Sequence, residues 1–504
     1  MRSILSALAL LLTPLVGWAA DRPTLAEVLA LQQLVQETIE RAEPAIACIL
    51  VSRSDAYARQ WNQGPEDAER GLLGAFDSHL LLARLIGADD LSEKQRRFIR
   101  DHDLSLAETV PESYGSGVVL DAKKRLVLTN AHVVRGASKI YVRLPGLGGS
   151  WANIYAADPR SDLAVLKLIS PLAKPLHEIP LGTGERPRKG QFVLGLAHPF
   201  AAGFRDGSPS ASWGMISNVR RRLPGNANEL DRARRTLHHY GDLIETDVRL
   251  NVGCSGGALL DLEGRLVGLT TAQAAITGSE GPGGYAIPIT DSLKQIIARL
   301  CEGKEVEYGF LGVSVRPGQE PGGGVQLAEV VPGSPAWQAG LKKDDYILAV
   351  DNNPIREPDD LFLHIGKHVA GSRINLVIAR DPLGAKRRVG PVKLAKLYVP
   401  GDIIAFHQPP APAGLRVDHL SILGQKIRLP RWQVVLKSGV VIRSVKRNSP
   451  AARARLQEDQ VITHVNGIEV NTPEDFYREM QKAGPRIRLT LADHRGRPEY
   501  VDLE

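Results

Sequence analysis

The chain has 504 residues, 43% of them hydrophobic and 24% charged, with a formal net charge of +7, 49 Gly, 33 Pro and 3 Cys. This length exceeds what one hydrophobic core supports, so three or four domains are expected, and the abundant Gly and Pro suit a turn-rich β protein. Three cysteines exclude a disulfide framework, since they allow at most one pair, and the basic balance comes with no nucleic-acid motif.

Residues 1–20 read as a cleavable signal peptide: Arg2, an apolar run from Ile4 to Val16, then Gly17-Trp18-Ala19. The run is shorter than the ~20 residues needed to span a bilayer, and no later segment is long and apolar enough. The mature chain is therefore expected to be exported, periplasmic or extracellular. Thr24-x-x-Glu27 is a capping box opening a helix that ends before Pro44. Ala45 to Val51 reads as a strand, and the next apolar run starts near Val118. The intervening stretch, about 53–112, is too long for a structureless loop. Leu72, Phe76 and Leu80, with Ser92-x-x-Gln95, predict a helical insertion.

From Gly117 to about Ile289, short apolar runs broken by Gly, Pro and Asp predict a β-barrel or sandwich. Arg220-Arg221-Arg222 and Arg232 to Arg235 read as a solvated basic loop. Ser292 to Leu300 reads as a closing helix. Beyond it Gly324-Val325, Ser334-Pro335-Ala336, Leu341, Asp344, Ile347 and Pro358-x-Asp360 recur without a gap 115 residues later. The second set is Gly439-Val440, Ser449-Pro450-Ala451, Leu456, Asp459, Ile462 and Pro473-x-Asp475. A constant offset means two copies of one module. They are expected over 303–398 and 414–504, with Gln408-Pro409-Pro410-Ala411-Pro412 in a semi-rigid linker at 399–413.

Three segments carry chemistry. Thr129-Asn130-Ala131-His132-Val133-Val134 offers a base and Ser161-Asp162-Leu163-Ala164-Val165-Leu166-Lys167 an orienting carboxylate. Gly253-Cys254-Ser255-Gly256-Gly257 offers a nucleophile. A serine hydroxyl needs a neighbouring base to lose its proton, and imidazole can take and return it. Protonated imidazole cannot, so activity is expected to fall below about pH 6. The order His132, Asp162, Ser255 is the chymotrypsin-like one. Glycines around Ser255 allow the N–H groups of Gly253 and Ser255 to face a developing oxyanion. Neither a metal site nor a cofactor is expected.

These motifs resemble those of the HtrA/Deg family of serine proteases. Gly115-Ser116-Gly117-Val118-Val119 is similar to the strand leading to the family's histidine, and Thr246 to Leu259 to its serine motif. Gly284-Tyr285-Ala286-Ile287-Pro288-Ile289 is similar to the segment lining its specificity pocket, which assigns Ala286 and Ile287 to that pocket. The family usually has Pro, Asn and Pro where this chain has Val252, Cys254 and Ala258. The resemblance implies a mainly-β fold: a chymotrypsin-like double β-barrel protease domain over 21–302 with a helical insertion, followed by two PDZ domains.

It further implies an ATP-independent endopeptidase that degrades unfolded or damaged proteins through an acyl-enzyme, assembled as a homotrimer or a multiple of one. Phe310, Leu311, Gly312 and Val313 resemble the PDZ loop that captures a peptide C-terminus. The corresponding loop of the second module is Gly414-Leu415-Arg416-Val417. A proteolytically inactive PDZ scaffold or holdase chaperone is the alternative.

Overall fold

The structure, a computed structural model, describes residues 24–53, 103–106, 109, 111–222, 236–271, 284–317, 323–381, 384–400, 404–426, 438–484, 486–492 and 497–503. The signal peptide, the helical motifs of the 53–112 insertion and the run from Arg232 to Arg235 lie outside these residues.

Helix α1 (Leu25–Ala42) starts where the capping box predicts. Glu27 N–H donates to Thr24 Oγ1 at 3.3 Å, and Thr24 N–H donates to the Glu27 carboxylate at 2.7 Å. Thr38 Oγ1, buried, donates to the Leu262 carbonyl at 3.0 Å and pins the helix to the barrels. The described residues cover only one side of α1. Among the described residues Leu25, Val28 and Leu29 remain 74%, 50% and 52% exposed, an apolar face that no described residue covers.

Six strands form the first barrel: β1 (Ile46–Ser52), β2 (Ser113–Asp121), β3 (Leu126–Asn130), β4 (Lys139–Leu144), β5 (Gly148–Asp158) and β6 (Leu163–Leu168). β1 lies between β4 and β2, β3 joins β2 to β6, and β5–β6 pairing closes the ring. Ile46, Ile49, Leu128 and Leu166 fill it, each buried aliphatic side chain contributing about 1.5–3 kcal/mol. The second closed barrel comprises β7 (Phe192–Ala197), β8 (Ser210–Arg221), β9 (Leu243–Thr246), β10 (Ala258–Leu260), β11 (Leu266–Thr271) and β12 (Gly284–Pro288). Helix Asp291–Cys301, capped by Thr290, lays Leu293, Ile296, Ile297 and Leu300 onto the first barrel's core.

The repeat is structural. Each copy is an antiparallel sheet carrying one longer helix, Pro358–Gly366 in the first and Pro473–Lys482 in the second. Gly312 and Gly414 take matching left-handed conformations, φ +86° and +85°. A Cβ on either would sit 2.1 Å from the Cβ of the capping serine, Ser334 or Ser449, so only glycine fits.

Two features differ from the sequence reading. Part of the stretch read as a linker is docked: Ile404–Ala405 pairs antiparallel with Ala156 and Ala157 of β5. Phe406 stacks on Tyr155 with centroids 5.3 Å apart. Nor are Arg220 and Arg221 loop residues; they end β8, and all three arginines are paired. Arg220 binds Asp360, Arg221 meets Glu245 at 2.6 Å, and Arg222 binds Glu357 and reaches Asp359 at 3.0 Å. These pairs seat the first module's helix against the second barrel, where Phe362 stacks on Tyr240 at 5.7 Å. Partly exposed pairs contribute at most about 1 kcal/mol each. Here they fix orientation more than stability.

Candidate active site

β3 delivers the histidine. It ends at Asn130, and the helical turn Ala131–Val134 follows at once. Its backbone is tied to Asp162: Ala131 N–H and Asn130 Nδ2 donate to the Asp162 carbonyl at 2.9 and 3.1 Å. The Asp162 carboxylate uses both oxygens on His132. Oδ1 accepts from the His132 backbone N–H at 2.9 Å, and Oδ2 lies 2.7 Å from Nδ1. With Nδ1–H donating, Nε2 is left with its lone pair, the tautomer a general base requires. The Asp162 side chain is 2% exposed and that of His132 15%, so the carboxylate is screened while the ring edge reaches solvent.

β2 delivers the serine loop. Ser116 N–H donates to the Ser255 carbonyl and Ser116 Oγ to the Gly253 carbonyl, both at 2.8 Å. Thr129 Oγ1 donates to the Ser116 carbonyl at 2.7 Å, so the strand carrying His132 and the loop carrying Ser255 share one residue. Gly115 is the closest approach: a Cβ there would lie 2.6 Å from Val133 Cγ1 and 3.2 Å from the Ser255 carbonyl oxygen. Histidine turn and serine loop therefore flank a gap too narrow for a methyl group. Ser116, Thr129 and Thr270, whose Oγ1 donates to the Cys254 carbonyl at 2.5 Å, escaped notice as functional residues. Ser116 and Thr129 already lay inside the recognised motifs.

The loop's glycines are obligatory. Gly253 and Gly256 have φ of +98° and +86°. A Cβ at Gly256 would sit 2.1 Å from the Ser116 carbonyl oxygen. Among the described residues the Gly253 N–H has no acceptor, which suits it to a developing oxyanion. Cys254 is buried, its Sγ accepts from Asn251 N–H at 3.4 Å, and burial pushes its thiol up. A protonated, buried thiol is no rival nucleophile.

Beneath the loop lies His198, fully buried. Its N–H donates to Ser116 Oγ at 2.8 Å, but neither ring nitrogen finds full hydrogen-bond geometry among the described residues. Burial holds the imidazole down to about 4. The unfolded chain, with an ordinary histidine near 6.5, binds a proton that the folded ring refuses. Stability from this site is thus complete above about pH 6.5 and is lost as pH falls toward about 4, by about 3 kcal/mol. Thermal midpoints at pH 7 and 4.5 should drop less in His198→Asn than in wild type; equal drops count against this assignment.

Ala286 and Ile287 lie on β12 and are both fully buried, but on opposite faces. Ala286 packs with Val193, Ile244 and Leu259, whereas Ile287 joins the large core. The structure does not bring the two to one wall. Leu250, whose side chain lies against Gly284, was missed because it precedes the serine motif's glycines.

In the first module Leu311 and Gly312 are buried, and their carbonyls accept from Ala336 and Val331 N–H, both at 2.9 Å. Their own N–H groups have no acceptor among the described residues. Phe310 pairs with Ala395, and Val313 begins the edge strand Val313–Val315. The second module departs here. Gly414 N–H already donates to Ala411 O at 2.9 Å. Across the groove, Val417 N–H donates to the hydroxyl of Tyr477 on the facing helix at 3.2 Å.

Two closed barrels with an aspartate-bound histidine and a glycine-flanked serine at their junction define a chymotrypsin-like serine endopeptidase. Known proteins agree. Residues 115–269 match the trypsin-like peptidase domain, and 326–380 and 441–493 match the PDZ domain. A probable periplasmic serine endoprotease DegP-like of Pseudomonas fluorescens is 32% identical over 388 residues, 75% of each chain. The periplasmic serine endoprotease DegP of Salmonella typhimurium is 30% identical over 394 residues, covering 76% of this chain and 74% of its own. The periplasmic pH-dependent serine endoprotease DegQ of Escherichia coli is 29% identical over 413 residues, covering 79% and 82%. The chain belongs to the HtrA/Deg family of serine proteases.

Proposed function

We propose that this protein is a periplasmic protease of unfolded or damaged polypeptides, cutting them through an acyl-enzyme on Ser255. His132 takes the Ser255 proton as the hydroxyl attacks the scissile carbonyl, then returns it to the leaving amine. Asp162 holds the imidazole in the required tautomer and stabilises the imidazolium. The N–H groups of Gly253 and Ser255 receive the oxyanion. The two-oxygen grip of Asp162 on His132 carries this reading. Location follows the similar periplasmic endoproteases, and the substrate class is the one the HtrA/Deg resemblance implies. Apolar Leu250 beside Gly284 favours a small aliphatic side chain at the cleavage site. Degradation of reduced, unfolded casein but not of its folded competitors, without ATP, tests the substrate class. Equal cleavage of folded proteins would oppose it.

The first PDZ module reads polypeptide C-termini through the free N–H groups at Leu311 and Gly312, the chain adding beside Val313. The second module is silent, because Ala411 takes the Gly414 N–H, the equivalent of Gly312's, and Tyr477 caps the Val417 N–H further along the edge strand. A peptide ending in a free carboxylate should protect amides of 311–315 from hydrogen exchange and leave 414–418 unchanged. In Tyr477→Phe, protection of 414–418 should rise. Protection of 414–418 in wild type would contradict this.

The protein assembles as a homotrimer or a multiple of one, and the apolar face of α1 that no described residue covers supports self-association. Val28→Asp with Leu29→Asp should lower the mass measured by light scattering to that of a smaller species. An unchanged mass would remove α1 from the interface.

A further inference from the structure

Asp162 has a left-handed backbone, φ +56°. For a residue other than glycine, that conformation persists only where its surroundings hold it. The residue before it, Ser161, is fully buried and gripped at every polar atom. Its N–H donates to Asp158 Oδ2 at 2.9 Å, and its hydroxyl donates to the same oxygen. Its carbonyl lies 3.0 Å from Nε2 of buried His238.

Asp158, at the end of β5, makes no ion pair among the described residues. It accepts four hydrogen bonds instead: Arg160 N–H at 3.3 Å, the two from Ser161, and one from the hydroxyl of Tyr308. Tyr308 alone comes from outside the barrels. Its carbonyl accepts from Leu397 N–H at 2.7 Å and its neighbour Gly309 pairs with Lys396, so its backbone belongs to the first PDZ module. Its fully buried ring lies under the Arg160 guanidinium, 5.1 Å away. Burial and the neighbouring Asp158 push its hydroxyl well above the ordinary phenol range, so it remains a proton donor.

We propose that Tyr308 is a positioning residue of the hydrolytic site, holding Asp162 on His132 through Asp158 and Ser161. The inference rests on reading Asp162 as the orienting carboxylate. A buried carboxylate that loses a donor must find another or take up a proton. Either change reaches Ser161, and relaxation of the Asp162 backbone then moves its carboxylate off Nδ1. Two residues further on, Phe310 opens the loop that receives a peptide, so the strut and the loop share one short segment.

The test uses the full chain and a short peptide p-nitroanilide with a blocked N-terminus, which the PDZ loop cannot read. Sites are titrated with a fluorophosphonate, so that kcat refers to folded, competent enzyme. Tyr308→Phe should lower kcat by about 10- to 100-fold and leave KM within about two-fold. Adding Asp158→Asn should bring no further loss beyond the worse single variant. Ser161→Ala, which cuts the same strut from the barrel side, should show the same kcat-only loss and stands in if Tyr308→Phe fails to fold. Wild-type kcat in Tyr308→Phe or Ser161→Ala, or losses that multiply in the double variant, would overturn the proposal. Asp162→Asn run in parallel separates the two failures. If it is crippled while Tyr308→Phe is normal, this inference alone falls; if it is fully active, the reading of Asp162 falls with it.

Discussion

Replacing Ser255 with alanine should lower kcat for casein or peptide cleavage by about 10⁶-fold, the loss seen when the serine is removed from subtilisin. The side chain is small, 5% exposed and at the end of a loop held by backbone contacts. Ser116 to the Ser255 carbonyl and Thr270 to the Cys254 carbonyl both survive the change. Fold and oligomer should therefore be intact, and light scattering and thermal midpoint should match wild type. Residual cleavage near the wild-type rate would mean that another group attacks the peptide bond. Cys254 is the nearest thiol, but it is buried and protonated.

Asp162→Asn should cost about 10⁴-fold in kcat, as the same change does in trypsin. The reason is visible in the two bonds at 2.9 and 2.7 Å. An amide can accept only through its oxygen. If that oxygen takes the His132 backbone N–H, the amide's NH2 faces Nδ1 and demands a lone pair there. The ring proton then moves to Nε2, where the base needs to be free. The rest of Asp162, including its carbonyl bonds to Ala131 and Asn130, is unchanged. A kcat–pH profile with unaltered stability checks this. Loss of less than about ten-fold would contradict the tautomer argument.

The motifs of the candidate site were legible because each is local. A strand end followed by Ala-His, a turn containing Ser-Asp, and a glycine-wrapped serine declare themselves within seven residues. The helix α1 was equally plain, since a capping box needs only Thr24 and Glu27. The PDZ repeat was legible through its constant offset, which the capping serines Ser334 and Ser449 keep; the matched glycines Gly312 and Gly414 do not. What the sequence hid lies in contacts between distant residues. Arg220 and Arg222 read as a solvated run because their carboxylates, at 357–360, stand far away in the chain. Ile404–Ala405 sat in a Pro-rich stretch, and nothing local shows that its backbone completes a barrel edge. Tyr308 stands two residues before the segment that resembles the PDZ loop, yet its hydroxyl ends inside the protease domain. The pocket assignment suffered from a different cause: Ala286 and Ile287 are adjacent, and adjacent strand residues point to opposite faces.

The two PDZ modules show why a shared pattern need not mean a shared role. Tyr477 and Phe362 occupy corresponding helix positions. One hydroxyl closes a groove on Val417, while the other ring, lacking it, turns to Tyr240 of the barrel.

Intact-mass and peptide-mapping spectrometry after exposure to a fluorophosphonate probes the hydrolytic machinery directly. One adduct per chain, located on Ser255 and lost in His132→Ala, is the result expected of a hydroxyl activated by that imidazole. An unlabelled Ser255 in folded wild-type protein, or labelling that persists at full rate without His132, would contradict it.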